Sequence, residues 1–376
     1  MANSRNRLVA LIAILILSAG VVAVTVYRRP ATSPASRTIT IGAVLPLTGD
    51  IASYGIAAKR GMDLAVDEIN ARRAAGAPRV RIIYEDSRGQ TGPALSAMEK
   101  LVSVNHVQVV VGEAASSVTV ALTTIANREK VVLVSPVSSS PELTLGGGPY
   151  FFRVAPSDVV QARMMAEWMK EEGHRRVALI FVNNSWGQGL RDEFLSTFRA
   201  GGGEVVAVEA VREGDRDLRA QLTRVRAAHP DALYAITYGR EGGALLRQTT
   251  ELALNLPIYG ADVWGSPELI QTAREAANGV KIIVPQKFES PGYQRFAAAF
   301  RARYGQDPDV YASYSYDLAH QLMNVVAPGR TDDAVRSTLA ASVYDGVTGR
   351  TQFDANGDVV GKGFQRTTLT YAAAAP

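Results

Sequence analysis

The sequence predicts an α/β protein built from two consecutive doubly wound blocks, each a parallel sheet with helices on both faces. Three observations predict it. Short β-branched runs alternate with longer segments of helical spacing from Ile39 onward, a pattern that specifies parallel strands joined by crossover helices. The alternation starts afresh near Val177, giving more sheet than one domain of ordinary size holds. The 376 residues are 47% hydrophobic and 20% charged, with 33 Gly and 17 Pro, which is globular composition with material for two cores.

The N-terminal residues stand apart from this pattern. Arg5 and Arg7 precede ten apolar residues, 8–17, and the run continues through Ser18 and Gly20 to Tyr27 before Arg28-Arg29-Pro30. Such a layout is an export signal. The 20 residues from Leu8 to Tyr27 are also enough to span a bilayer, so a cleaved signal peptide and an uncleaved anchor are both open. Residues 1–37 are therefore read as signal or anchor plus a polar linker over 30–37. The protein is expected in the periplasm or another extracytoplasmic space, either free or tethered to the inner membrane by residues 8–27.

The same segment explains the net charge of +4. Its first 36 residues hold four arginines and no acid, and the remainder carries 36 basic residues against 36 acidic ones. A neutral body of mixed charge lacks the basic stripe that nucleic acid requires, so no nucleic-acid partner is expected. The absence of cysteine removes disulfides, thiolate catalysis, cysteine-ligated zinc and iron–sulfur sites, and the lipidated cysteine of bacterial lipoproteins.

In the first block, strands are expected at 39–45, 80–85, 107–111 and 131–135, all rich in Val and Ile, with helices near 55–73, 92–104 and 116–128. The second block reads as strands at 177–182, 205–211, 232–237 and 257–260 with helices near 157–172, 188–200, 216–228, 241–253 and 267–277. The last of these opens on Ser266-Pro267-Glu268, an N-cap followed by proline at the first helical position. Beyond a strand at 280–285 come helices near 292–304, 309–326 and 331–341. A short strand-turn pair is expected around 351–354 and 367–371. Periodicity does not assign these last elements to a block, and no repeat of fixed motif is present.

Catalytic and cofactor signatures are absent. The loop Pro46-Leu47-Thr48-Gly49-Asp50 carries a single Gly, so neither a Gly-x-Gly-x-x-Gly nor a Gly-Lys-Ser/Thr phosphate loop opens a helix. There is no Gly-x-Ser-x-Gly elbow, and His106, His174, His229 and His320 lie in unrelated contexts without metal-ligand spacing. No catalytic residue, metal or cofactor is expected; a hydrolase on a similar scaffold is a residual reading.

Ligands of open α/β sheets bind outside the carboxyl ends of the strands. After the third strand comes Gly112-Glu113-Ala114-Ala115-Ser116-Ser117-Val118-Thr119, which sets hydroxyls at a helix start whose free N–H groups attract a carboxylate. After the fourth comes Ser135-Pro136-Val137-Ser138-Ser139-Ser140-Pro141, a second cluster of small donors. Both clusters also suit plain N-caps.

The order and spacing of several pieces carry a family resemblance. They are Ile41-Gly42-Ala43-Val44-Leu45-Pro46-Leu47-Thr48-Gly49, Tyr54-Gly55, Asp67-Glu68-Ile69-Asn70-Ala71, Ser135-Pro136, Ser140-Pro141-Glu142-Leu143-Thr144, Trp186-Gly187-Gln188-Gly189 and Gly346-Val347-Thr348-Gly349-Arg350-Thr351-Gln352-Phe353-Asp354. In these, over nearly the whole body, the chain resembles the branched-chain amino-acid (Leu/Ile/Val) periplasmic binding proteins of ABC transporters, of the type I binding-protein fold. The resemblance implies two lobes, 38–154 with 286–345 and 155–285 with 346–376, joined by three crossovers near 153–156, 284–287 and 344–346. It implies an amino acid or close analogue held between them, its carboxylate by Ser116, Ser138 and Ser139 and its ammonium by Asp262, with Trp186 and Tyr238 covering it and Tyr54 a further contact. Since Ser266 serves as the helix cap, Asp262 is left free for a ligand. Trp186 replaces the tyrosine common in the family, and Trp264 is a second departure, expected to narrow the pocket or stack on a ring. Arg240 is read either as a surface residue or as the partner of a second acidic group on the ligand. The implied partner is an ABC transporter permease; the rival reading is a membrane-tethered sensor domain for amino acids, amides or aromatic acids that works with a membrane signalling protein.

Overall fold

The computed structural model describes residues 38–327 and 330–371; the export segment and its linker lie outside the described residues. Among the described residues no helix is long and apolar enough to cross a membrane. Residues 74–79 form a turn of their own, in which the Ala77 amide donates to Ala74 O at 3.0 Å.

The first sheet is parallel throughout and has the order β2-β1-β3-β4-β5, formed by β1 (Ile39–Leu45), β2 (Val80–Asp86), β3 (Val109–Gly112), β4 (Val132–Ser135) and β5 (Phe151–Arg153). Strands β3 and β4 are buried along their full length, as expected where helices cover both faces. The covering helices are α1 (Ala52–Arg72), α2 (Thr91–Ser103), α3 (Ser116–Glu129) and the short α4 (Pro141–Gly146). Gly112, at φ +143, ends β3 where a Cβ would lie 2.0 Å from Val44 O. Only glycine lets β3 approach β1 this closely and then turn into the loop that precedes α3.

The second sheet has the order β13-β10-β9-β8-β6-β7. Its strands are β6 (Arg176–Val182), β7 (Glu204–Val211), β8 (Ala232–Ile236), β9 (Ile258–Gly260), β10 (Lys281–Pro285) and β13 (Phe364–Thr368), the last antiparallel to β10. Helices α5 (Asp158–Glu171), α6 (Ser185–Ala200), α7 (Arg219–Ala227), α8 (Gly239–Glu251) and α9 (Pro267–Ala273) cover it. Edge strand β7 is mostly half-buried or exposed, whereas central β8 is buried throughout.

Helices α10 (Pro291–Tyr304), α11 (Val310–Val325) and α12 (Asp332–Ala341) return to the first lobe. Phe296, Phe300, Leu318, Leu322 and Leu339 join the core of β1–β5, while Phe364 and Leu369 join the other. Two details differ from the expectation. The pair expected at 351–354 and 367–371 is instead a hairpin of β11 (Tyr344–Gly346) with β12 (Gly349–Thr351), followed by β13, which pairs with β10. The second lobe also resumes later than residue 346. Val347 and Phe353 pack on the first core, Phe353 with its ring 5.1 Å from that of Phe152, because Arg153 is fully buried and draws Asp358 to it at 2.6 Å. A buried guanidinium requires such a partner.

Candidate functional site

The cavity between the lobes contains about 370 Å³ of space between atoms, open solvent included. From the first lobe come Ile51, Tyr54, Ala114, Ala115, Ser116, Val137, Ser139 and Tyr311; from the second come Trp186, Tyr238, Asp262 and Val263. Six of the seven residues singled out in the sequence thus line one space.

Ser116 is the first residue of α3, so its amide and that of Ser117 have no carbonyl one turn below them. Its oxygen accepts the Ser140 amide at 3.3 Å, which leaves the hydroxyl proton for a ligand. Glu113 holds this loop from behind. Its buried carboxylate accepts the Ala115 amide at 2.5 Å and the Ser87 hydroxyl at 2.6 Å, and burial pushes the carboxyl up to about 7 against those donors.

Ser138 does not join the cavity. Ser135 Oγ accepts the amides of Val137 at 3.2 Å and Ser138 at 2.9 Å, a serine turn that folds the loop back. The Ser138 hydroxyl then lies 2.8 Å from Glu113 O and 2.7 Å from Thr119 Oγ1. Its work is to tie the two donor loops together. Ser139, the next residue, reaches the cavity, and its hydroxyl donates to Asp158 Oδ2 at 2.9 Å.

Asp262 stands in a single 3₁₀ turn after β9. Ser266 caps α9 by accepting the Leu269 amide, with Pro267 at the first helical position, so Asp262 has no capping duty. It is held by Gln161 of α5, whose Oε1 accepts the Asp262 amide at 2.9 Å and whose Nε2 donates to Asp262 Oδ1 at 3.1 Å. The same Nε2 donates to Asp158 Oδ1 at 3.0 Å. A buried carboxylate, Asp158, and a half-buried one, Asp262, thus share one carboxamide. Burial pushes both carboxyl groups upward, and the charge of Asp262 raises Asp158 further.

Trp186 is buried and stacks on Tyr238, ring centres 4.9 Å apart at 18°. Asn184, the cap of α6, donates to the Tyr238 hydroxyl at 3.1 Å, which fixes the pair as one apolar wall. Tyr54 meets Tyr311 edge to face at 5.4 Å on the opposite side. Trp264 is not a pocket residue; it is fully buried in the second core and donates its ring N–H to Thr237 O at 2.8 Å. Arg240 does not reach the inner cavity either. It pairs with Glu268 at 2.7 Å and, across the cleft, with Asp50 at 2.5 Å, at the rim of a wider outer space that shares Tyr54, Asp262, Val263 and Tyr311 with the inner one. Arg240→Ala is expected to change ligand affinity by about 1 kcal/mol or less, the ordinary worth of an exposed ion pair, with a calorimetric titration as the check.

Asp158, Gln161 and Tyr311 were missed in the sequence. Asp158 follows the cap Ser157 and reads as a first-turn acid, and Gln161 reads as a solvent-facing helix residue. Tyr311 is 257 positions from Tyr54 in sequence, and no local signal joins them. Among the described residues no group of His, Asp or Glu is arranged to hold a metal ion.

Two α/β lobes joined by three crossovers, with hydroxyls on one wall of the cleft and a carboxylate on the other, define a solute-binding protein of the type I fold. Residues 38–367 match the family model for periplasmic binding proteins, and the chain belongs to that family. It is 30% identical over 334 residues to the Leu/Ile/Val-binding protein BraC3 of Rhizobium johnstonii, covering 87% of this chain and 90% of the relative. Among solved structures it is similar to the branched-chain amino acid transporter substrate-binding protein LivJ of Streptococcus pneumoniae in complex with isoleucine. That likeness has 29% identity and a TM-score of 0.78, over 88% of this chain and all of the other. The leucine-binding protein LivK of Thermotoga maritima gives 26% identity and a TM-score of 0.81, over 88% and 95%.

Proposed function

We propose that this protein captures a small neutral amino acid as its zwitterion outside the cytoplasmic membrane and delivers it to an ABC transporter permease. The observation that carries the reading is the placement of Asp262 opposite Ser116 and Ser139 across a cavity whose lining contains no lysine or arginine. The carboxylate of the ligand is held by the Ser116 hydroxyl and the free amides at the start of α3, and its ammonium by Asp262, with Asp158, which Ser139 and Gln161 already hydrogen-bond, behind it. The rest of the space is lined by Ile51, Val137, Val263 and aromatic rings, which suits an aliphatic side chain. The names of the relatives, Leu/Ile/Val-binding and leucine-binding, agree with that choice.

Closure follows from the same geometry. A ligand that touches both lobes binds the closed form better than the open one and shifts the population toward it. A thermal-shift screen against the standard amino acids tests the reading. A cognate ligand at a hundredfold excess over its Kd stabilises the fold by about 2.7 kcal/mol. Stabilisation by leucine, isoleucine or valine is expected; silence toward every amino acid, with a shift from an acid that lacks an amine, overturns it.

Two serines make an internal control. Ser116→Ala removes a hydroxyl offered to a charged carboxylate and is expected to cost about 1.5–3 kcal/mol of binding. Ser138→Ala removes a tie between the two donor loops while Glu113 O keeps Ser135 and Thr119 as donors, and is expected to cost about 0.5–1.5 kcal/mol of stability, with affinity unchanged. Calorimetric titration and thermal melts of both variants separate the two roles.

A further inference from the structure

A second cavity lies at the hinge itself, with about 700 Å³ of space between atoms, open solvent included. It is lined by residues 286–290 after β10, by 346–350 of the β11–β12 hairpin, by 361–363 before β13, and by the ring of Tyr314. Three separate stretches of chain therefore meet around one space, and each brings a cation: Lys287, Arg350 and Lys362. Glu289 is the one carboxylate in the lining.

Lys362 is the informative member. Its ammonium donates to Thr348 Oγ1 at 2.6 Å and sits 4.5 Å from the centre of the Tyr314 ring. No carboxylate among the described residues lies within ion-pair distance of it. The counter-charge that acts on it is Asp317, but the Thr348 hydroxyl links the two and donates to Asp317. Asp317 is further engaged by the amides of Val347 at 2.9 Å and Thr348 at 2.8 Å, so its charge is spent on the hairpin. Burial pushes the Lys362 ammonium down to about 8, with Asp317 opposing. A half-buried ammonium with one hydroxyl acceptor and no ion-pair partner among the described residues gains from a counter-charge brought to it. Lys287 and Arg350 are exposed, and neither is ion-paired among the described residues.

We propose that this hinge cavity is a binding site for a small polyvalent oxyanion of the phosphate type, held by Lys362 from within and by Lys287 and Arg350 at its mouth. Such an anion gives Lys362 the counter-charge that Thr348 withholds, and charge-assisted hydrogen bonds to two exposed cations supply the rest. Because the three cations come from three separate stretches of chain, an anion shared among them favours the arrangement that brings those stretches together.

The test is a calorimetric titration of the full chain with inorganic phosphate, at constant ionic strength made up with sodium chloride and with no amino acid present. Saturable one-site binding is expected, weakened tenfold or more in the Lys287→Ala/Arg350→Ala double variant. Both of those side chains are exposed, so their removal leaves no buried hole. Lys362→Met is expected to give a similar loss, with its melt recorded alongside to separate binding from folding. Absence of saturable heat above the chloride control, or phosphate affinity in the double variant within twofold of the parent, overturns the proposal. The titration contains no amino acid, so its outcome is independent of whether the cleft binds one.

Discussion

Asp262→Asn is expected to weaken binding of the cognate amino acid by about 2–5 kcal/mol, roughly 30-fold to a few thousandfold in Kd, while the unliganded protein melts at the same temperature or higher. The two halves of that expectation have one cause. Asparagine keeps the shape of aspartate and a carbonyl oxygen for Gln161 Nε2, and the backbone amide at 262 still donates to Gln161 Oε1. The scaffold is therefore retained. What is lost is one of two carboxylates that share a single carboxamide in a buried setting, where like charges oppose each other. Without ligand, that loss relieves Asp158. With ligand, an ammonium meets a neutral amide where the ionised carboxylate stood, and a desolvated cation is left short of charge. Stabilising substitutions that impair function are the usual sign of a site held in an unfavourable state for its ligand's sake. Calorimetric titration together with thermal melts checks both halves. Unchanged affinity removes Asp262 from the ligand; a large drop in melting temperature reassigns it to the scaffold.

How far the sequence reveals this arrangement varies from residue to residue, for identifiable reasons. Asp262 is legible because the cap of the next helix is already filled by Ser266 and Pro267, which leaves the carboxylate unemployed by local structure. Ser116 is legible from its place between a buried strand and an amphipathic helix. Ser138 and Ser139 are neighbours of identical chemistry, and only the turn made by Ser135 decides that one ties loops together while the other faces the cavity. That turn depends on Glu113 O lying beside it, a contact between residues 22 apart, and no local pattern encodes it. Asp158 is hidden by its own good local role, since an acid in the first turn of a helix needs no further explanation. In the fold, the parallel strands with full-length apolar runs are legible, whereas the lobe assignment of the C-terminal segment is not. It is set by Arg153, which pairs with Asp358 over a separation of 205 residues, and by β13 closing on β10. The hinge cavity is a further case: Lys287, Arg350 and Lys362 are ordinary basic residues until three separate stretches of chain bring them together.

The carboxylate pair also predicts that pH moves stability and affinity in opposite directions. Burial raises the carboxyl groups of Asp158 and Asp262 above their ordinary values, Asp262 adding to the effect on Asp158. Between the ordinary carboxylate range, near 4, and the raised values, the native state holds protons that the unfolded chain has released. Stability therefore decreases as pH rises through that window, and the unliganded protein is expected to melt at progressively lower temperature from pH 4 to 7. Ligand binding has the reverse sign. An ammonium is attracted by ionised carboxylates and not by protonated ones, so affinity is expected to increase over the same interval, and binding is accompanied by release of protons. Glu113, which burial pushes up to about 7, and Asp309, which burial pushes up to about 6, contribute to the stability slope in the same direction, but neither lines the cavity. Asp262→Asn consequently separates the two effects: the slope of the melting temperature is reduced but retained, and the rise of affinity with pH is largely lost. Melts of the unliganded protein and titrations with the cognate amino acid in buffers of different ionisation enthalpy, across pH 4 to 7, measure both slopes and count the protons. An affinity that falls with pH in this range, or a proton uptake on binding, contradicts an ammonium held by this pair.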